Sequence, residues 1–130
     1  MTTTVPSKNV FIKRAYTPAA PDDGVRILID RLWPRGIKKE ALALSEWEKE
    51  LAPSNELRQW FGHEPAKWEE FRRRYAAELR DHGKEAFKTL HAKAQAGVVT
   101  LVFGAHNELQ NNAVAMREFL LNPKGLDATY

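Results

Sequence analysis

The chain of 130 residues contains no cysteine. This absence excludes disulfide bonds, zinc sites built on thiolates, iron–sulfur clusters and a cysteine nucleophile. Hydrophobic residues make up 43% of the chain and charged residues 28%, which is the composition of a globular protein. The length predicts a single domain over residues 1–130, and we expect the terminal segments 1–8 and 123–130 to fray.

Long apolar runs are also missing. No stretch approaches the ~20 apolar residues that a membrane-spanning helix needs. Residues Met1 to Asn9 are polar and lack the apolar centre of a signal peptide. We therefore expect no membrane association and a cytoplasmic location.

Motifs for cofactors and metals are absent as well. Nothing resembles a phosphate-binding P-loop, a dinucleotide-binding glycine fingerprint or a nucleophile elbow. No two of the four histidines have the close spacing of a metal-binding pair. We expect a metal-independent protein without a cofactor.

The net charge of +3 is unevenly distributed. Residues 1–36 hold six Lys and Arg against three Asp, whereas residues 37–130 hold 14 basic and 14 acidic side chains. A local surplus of this size suits a small anionic ligand better than a long nucleic-acid duplex, which needs a broad basic face.

Three segments have the composition of strands. The segments 10–14 (VFIKR) and 25–30 (VRILID) are rich in β-branched residues, and the turn-forming segment 22–24 precedes the second. The sequence leaves their relative direction open, and antiparallel neighbours are one arrangement. Segment 98–103 (VVTLVF) is almost wholly apolar, which is typical of a strand covered on both faces in a parallel sheet.

Helices are predicted between and after these strands. Ser45 and Glu48 form a capping box for a short helix that ends near Leu51. The other predicted helices run from 53–54 to Gly62, from Pro65 through Leu79, from about Lys84 to Ala96, and from about Asn112, as N-cap, to Leu121. The order predicts an α/β fold: a small layered domain with a short, mostly parallel sheet flanked by helices.

Two polar loops follow predicted strands, at 30–36 and at 104–112. Ligands of open α/β sheets bind at the carboxyl ends of the strands, so these loops share one rim if their strands are parallel. The candidate catalytic residues are Asp30, His106 and Glu108. The candidate ligand-binding residues are Arg31, Trp33, Arg35, Gly104, Asn107, Asn111 and Asn112.

This rim suits a phosphate or carboxylate group. Gly104 allows close approach of the backbone, the helix start near Asn112 offers free N–H groups, and Arg31 or Arg35 supplies a planar fork. The expected partner is a phosphate-bearing metabolite or nucleotide; in an enzyme, Asp30 or Glu108 would be the general base. In the purely structural alternative, Asp30 pairs with one of the arginines and Asn112 only caps the helix.

Two other functions remain open. A nucleic-acid-binding or regulatory module would use Lys8, Lys13, Arg14 and the arginines of segment 72–80, although residues 72–74 spread over about 200° of a helix and acidic neighbours offset them. A protein–protein adaptor would use Trp33 and Trp60. His63, at a helix junction, is a further candidate for acid–base chemistry or phosphate binding.

Several strings carry a resemblance to a known family. They are the residues 22–24 (DDG), 29–36 (IDRLWPRG), Trp47, 51–54 (LAPS), 60–63 (WFGH), 68–75 (WEEFRRRY), 99–102 (VTLV) and 111–114 (NNAV). With them the chain resembles the YeaO-like bacterial proteins, the short branch of domain-of-unknown-function family 488. The resemblance implies an α/β fold and a bacterial or archaeal cytosolic setting, and it assigns no activity.

The second polar loop departs from the pattern of that branch. The usual loop reads Ala-Lys/Arg-Asp-Glu-x-His-Asn, whereas segment 105–111 reads AHNELQN. Asn107 and Gln110 stand where the branch has Asp and His. The departure removes one acid and one base, which weakens the case for acid–base catalysis.

Overall fold

A computed structural model describes residues 4–127. At its centre is a four-stranded sheet in the order β1-β4-β2-β3, formed by β1 (Val10–Arg14), β2 (Val25–Leu28), β3 (Glu46–Trp47) and β4 (Val99–Phe103). All three pairings are parallel, and Val99 of β4 lies opposite both Val10 and Val25. The predicted α/β fold is confirmed. Antiparallel pairing of β1 with β2 is wrong, because β4 lies between them.

Helices fill the connections between these strands. The α-helices are α1 (Lys39–Leu42), α2 (Asn55–Phe61), α3 (Trp68–His82), α4 (Lys84–Ala96), α5 (Asn112–Leu121) and α6 (Lys124–Asp127). Single 3₁₀ turns lie at Ser7–Asn9, Pro21–Asp23, Lys49–Leu51 and Pro65–Lys67. Within residues 4–127, no helix has both the length and the apolar character needed to cross a membrane.

The two faces of the sheet are covered very differently. All five residues of β4 are buried, as its sequence predicts, and alternate side chains point to opposite faces. Val99, Leu101 and Phe103 join the larger cluster, which the long helices α3, α4 and α5 complete. Val102 and Leu28 join a smaller cluster, which is closed by residues of segment 33–47.

A buried aspartate closes the loop between β1 and β2. The Asp23 carboxylate accepts hydrogen bonds from Lys13 Nζ at 2.8 Å, Arg26 Nη1 at 2.7 Å and the Ala20 N–H at 2.9 Å. Burial alone would raise the pKa of Asp23, but these donors more than offset it, so the pKa lies below the ordinary 3.8. The motif 22–24 thus has a structural role, since it ties two strands of the sheet together.

The helix predicted from the Ser45–Glu48 capping box is wrong. Residues Glu46–Trp47 form β3, and Lys49–Leu51 form a 3₁₀ turn. The Ser45 hydroxyl accepts a hydrogen bond from the Arg26 N–H at 3.1 Å instead of capping a helix. Pairing with the open edge of β2 therefore prevails over the local preference for a helix.

The terminal segments 1–8 and 123–130 are described only in part, and their fraying stays a prediction. Val5 is buried, and the carbonyl of Ser7 accepts a hydrogen bond from Arg117 Nη2 at 3.3 Å. At the other end α6 buries Leu126. Residues 1–3 and 128–130 lie outside the described residues.

Replacing Gly24 by alanine should destabilise the protein by about 2 kcal/mol or more. Gly24 has φ 66° and ψ −135°, and an added Cβ would lie 2.3 Å from the Val98 carbonyl oxygen. Gly97→Ala is the control, because Gly97 is extended and no neighbouring atom lies within 4 Å of an added Cβ. Urea denaturation measures both variants; similar free energies of unfolding would contradict the prediction.

Candidate functional site

The two polar loops meet at the carboxyl edge of the sheet. Asp30 follows β2, and its Oδ2 accepts a hydrogen bond from the Gly104 N–H, directly after β4, at 2.8 Å. Its Oδ1 accepts from Asn112 Nδ2 at 2.9 Å, and the same Nδ2 donates to the Ile29 carbonyl at 2.9 Å. The Asp30 carboxylate thus joins the ends of two strands to the start of α5.

A cleft of about 280 Å³ opens beside this carboxylate. Its volume is just below the range of roughly 300–1,000 Å³ that is usual for small-molecule pockets. The lining residues are Asp30, Pro53, Arg58, Phe61, His63, Phe71, Gly104, Ala105, His106, Asn111 and Asn112. The walls are mostly apolar, and Arg58, His63 and His106 supply the basic groups.

Five of the ten candidate residues line this cleft. They are Asp30, Gly104, His106, Asn111 and Asn112. Asp30 does not pair with either arginine of its own loop, since its hydrogen bonds come from Gly104 and Asn112. The purely structural alternative predicted an ion pair between Asp30 and one of these arginines, and that pairing is wrong. The carboxylate nevertheless has a structural role, through Gly104 and Asn112.

The three candidates of the first loop beyond Asp30 lie elsewhere. Arg31 lines a separate groove, and its buried Nε has no hydrogen-bond partner among residues 4–127. Trp33 packs edge-on against Trp47, with ring centroids 5.4 Å apart, and donates to the Ile37 carbonyl at 2.8 Å. Arg35 is exposed and outside the cleft. None of these three side chains lines the cleft.

Asn107 and Glu108 are also outside the cleft. The Asn107 Oδ1 accepts hydrogen bonds from the Leu109 and Gln110 N–H groups at 2.9 and 3.1 Å, so it orders the loop. Glu108 is exposed. The N-cap of α5 is Asn111, whose side chain accepts from the Val114 N–H at 2.9 Å; the predicted cap at Asn112 is wrong by one residue.

The sequence prediction did not include Arg58, Phe61 and Phe71 as cleft residues. They come from α2 and α3, and no local motif indicates that these helices reach over the carboxyl edge. Arg14 was detectable, because it ends β1 and so obeys the strand-end rule that selected the two loops. Its Nε donates to the Ala105 carbonyl at 2.9 Å, within the rim.

Arg14 also approaches His106. Arg14 Nη2 lies 3.4 Å from His106 Nδ1, and because a guanidinium can only donate, a hydrogen bond at this contact would use Nδ1 as the acceptor. The other ring nitrogen, Nε2, lies on the side away from Arg14.

Burial controls the electrostatics of Asp30. Removal from water raises the pKa of this carboxyl above the ordinary 3.8, and the hydrogen bonds from Asn112 and Gly104 and the charge of Arg58 offset only part of that rise. Its negative charge is therefore costly in this position.

The other sequence-derived candidates are engaged elsewhere. Lys13 pairs with Asp23; on α3, Arg72 bonds Glu69 and Glu118, while Arg73 and Arg74 bond Glu70. Trp60 is half-buried, with Lys67 and Arg74 over its ring at 5.0 and 4.1 Å. The basic face expected for a nucleic-acid module is largely neutralised by ion pairs. Across residues 4–127 no three His, Asp or Glu side chains converge as metal ligands.

Fold and site together define a small parallel α/β domain with a cleft at the carboxyl edge of its sheet. Residues 9–127 match the family DUF488-N3i, described as the inactive DUF488-N3 subclade, and the chain belongs to this family. The resemblance to YeaO-like proteins is therefore confirmed. No solved structure matches the chain significantly.

Two relatives illustrate how far the similarity extends. The uncharacterized protein YeaO of Escherichia coli K12 is 48% identical over 112 residues, which cover 86% of this chain and 96% of YeaO. The uncharacterized protein Rv3073c of Mycobacterium tuberculosis is 38% identical over 111 residues, which cover 85% of this chain and 92% of the relative. The similarity thus includes both loops of the rim and both helices of the cleft.

The two buried aspartates should give opposite pH signatures. Because the pKa of Asp30 is raised, its stabilising contribution is complete below pH 3.8 and is lost as the pH rises through the raised value. Asp30→Asn removes this loss, so the variant should gain stability relative to the wild type with rising pH. Urea denaturation from about pH 3 to pH 7 measures the trend.

Asp23→Asn is the matched comparison for that experiment. The pKa of Asp23 is lowered, so its contribution is present above pH 3.8 and is lost as the pH falls through the lowered value. This variant should lose stability relative to the wild type as the pH rises. The same sign of slope for both variants would show that one of the two assignments is wrong.

Proposed function

We propose that this protein binds a small molecule through an anionic group, phosphate or carboxylate, in the cleft at the carboxyl edge of its sheet. One observation carries the proposal: Arg58, His63 and His106 line one cavity in which Asp30 is the only carboxylate among the lining residues. A phosphate-bearing metabolite, including a mononucleotide, is the expected class of ligand, and we expect binding in the cytoplasm.

The donors of the cleft support an anionic partner. Arg58 has a planar guanidinium that suits the oxygens of phosphate or carboxylate, and among residues 4–127 the one hydrogen bond of its side chain is a 3.3 Å contact of Nη2 with Asn55 Oδ1. His106 has Nε2 on the side of its ring away from Arg14, which lies near Nδ1. Both side chains can therefore turn a donor towards an oxyanion without breaking a strong internal ion pair.

The same residues favour binding over turnover. Both oxygens of Asp30 already accept protein hydrogen bonds, which suits a structural carboxylate better than a general base. Glu108, the other candidate base, is exposed and outside the cleft. The family description, an inactive subclade, agrees with a binding role, as does the replacement of the usual loop acid and base by Asn107 and Gln110.

Replacing Arg58 by glutamine should weaken anion binding by about tenfold or more, because a charge-assisted hydrogen bond contributes roughly 1.5–3 kcal/mol. Arg35→Gln is the matched control, since it removes an equal charge outside the cleft. Amide chemical-shift titrations with inorganic phosphate, acetate and AMP measure the dissociation constants. Equal losses in both variants, or no saturable shifts around Gly104 in the wild type, would refute the proposal.

A further inference from the structure

An aromatic wall forms one side of the cleft. The rings of Phe61 and Phe71 are stacked, with centroids 4.5 Å apart and an interplanar angle of 28°. The Trp68 ring lies close to both, with its centroid 5.7 Å from that of Phe71 and 5.9 Å from that of Phe61. Three packed rings have few alternative rotamers, so the wall is rigid and preorganised.

The cleft has more apolar surface than a bare anion can use. Inorganic phosphate or acetate would contact the basic groups and leave unused the apolar lining formed by Pro53, Ala105 and the largely buried rings of Phe61 and Phe71. Small-molecule sites are mostly apolar, with a few polar groups that orient the ligand. The cavity of about 280 Å³ therefore has room for a ring next to the anionic group.

A strained residue lies at the same cleft. His63 has φ 60°, a left-handed conformation that is unfavourable for residues with a Cβ. Glycine would fit this backbone without strain, yet the position carries an imidazole that lines the cavity, 6.0 Å from the Phe61 ring. Backbone strain of this kind is concentrated at functional sites, where the surrounding structure maintains it.

We propose that the ligand carries a planar ring bonded directly to its anionic group, as in an aryl phosphate or an aryl carboxylate, and that His63 is a specificity residue for it. The ring lies on the wall of Phe61 and Phe71, and the anionic group faces Arg58 and His106. This inference rests on the proposed function and names its class of ligand.

Matched ligand pairs test the ring. Phenyl phosphate should bind at least about tenfold more tightly than methyl phosphate, because the added ring removes apolar surface from water. Benzoate and acetate form the corresponding carboxylate pair, and comparing the two pairs shows which anion is preferred. Chemical-shift titrations of the full chain provide the dissociation constants for all four compounds.

His63→Gly separates the ligand role of His63 from a structural one. The variant should keep or slightly raise Tm, because it relieves the left-handed strain, and should weaken phenyl phosphate binding about fivefold or more. Ala43→Gly is the matched control, since Ala43 is also left-handed, at φ 49°, but lies outside the cleft. It should relieve strain in the same way and leave the affinity unchanged.

The outcomes distinguish the two proposals. If both members of each ligand pair bind with equal affinity and binding still depends on Arg58, the proposed preference for a ring is refuted and the anion site is retained. Unchanged phenyl phosphate affinity in His63→Gly would overturn the role of His63. Absence of saturable binding for all four compounds would overturn the anion site and this inference together.

Discussion

The carboxylate of Asp30 is the constraint on which the carboxyl edge of this protein depends. It accepts one hydrogen bond from the backbone after β4 and one from the first residue of α5, while Asn112 also holds the last carbonyl before Asp30. An added Cβ at Gly104 would lie 3.1 Å from Asp30 Oδ2, so a larger residue there would require the carboxylate to shift by a few tenths of an ångström. These contacts bring three separate parts of the chain to one point and so form the floor of the cleft.

The cost of burying that carboxylate explains its surroundings. Burial raises the pKa of Asp30, and only the amide donors and the Arg58 charge keep the ionised form accessible. The Asp23 carboxylate, at the opposite ends of the strands, is buried too, but there two cations lower its pKa. One end of the sheet is therefore closed by a compensated ion cluster, and at the other end the burial of a carboxylate is only partly compensated.

Prediction from sequence succeeded where the pattern is local and one-dimensional. The apolar run 98–103 indicated the central strand, Ser54 and Gly62 bounded α2, and the strand-end rule selected Asp30 and the loop 104–112. Prediction from sequence failed where contacts between distant parts of the chain determine the structure. The Ser45 hydroxyl accepts a hydrogen bond from β2 instead of capping a helix, and Arg31 and Arg35 do not line the cleft. Arg58 and the aromatic wall depend on how α2 and α3 pack, which no local spacing encodes.

The parallel arrangement of the sheet has a consequence for how the chain can fold. β4 pairs with both β1 and β2, yet it begins only at Val99, far along the chain. Before it is in place, β1 has no strand partner among the described residues, and β2 has only the two-residue β3. Such distant pairings carry a loop-closure entropy, so the sheet depends on contacts between residues far apart in the chain. During synthesis on the ribosome, β1 and β2 emerge well before β4, the strand that pairs with both.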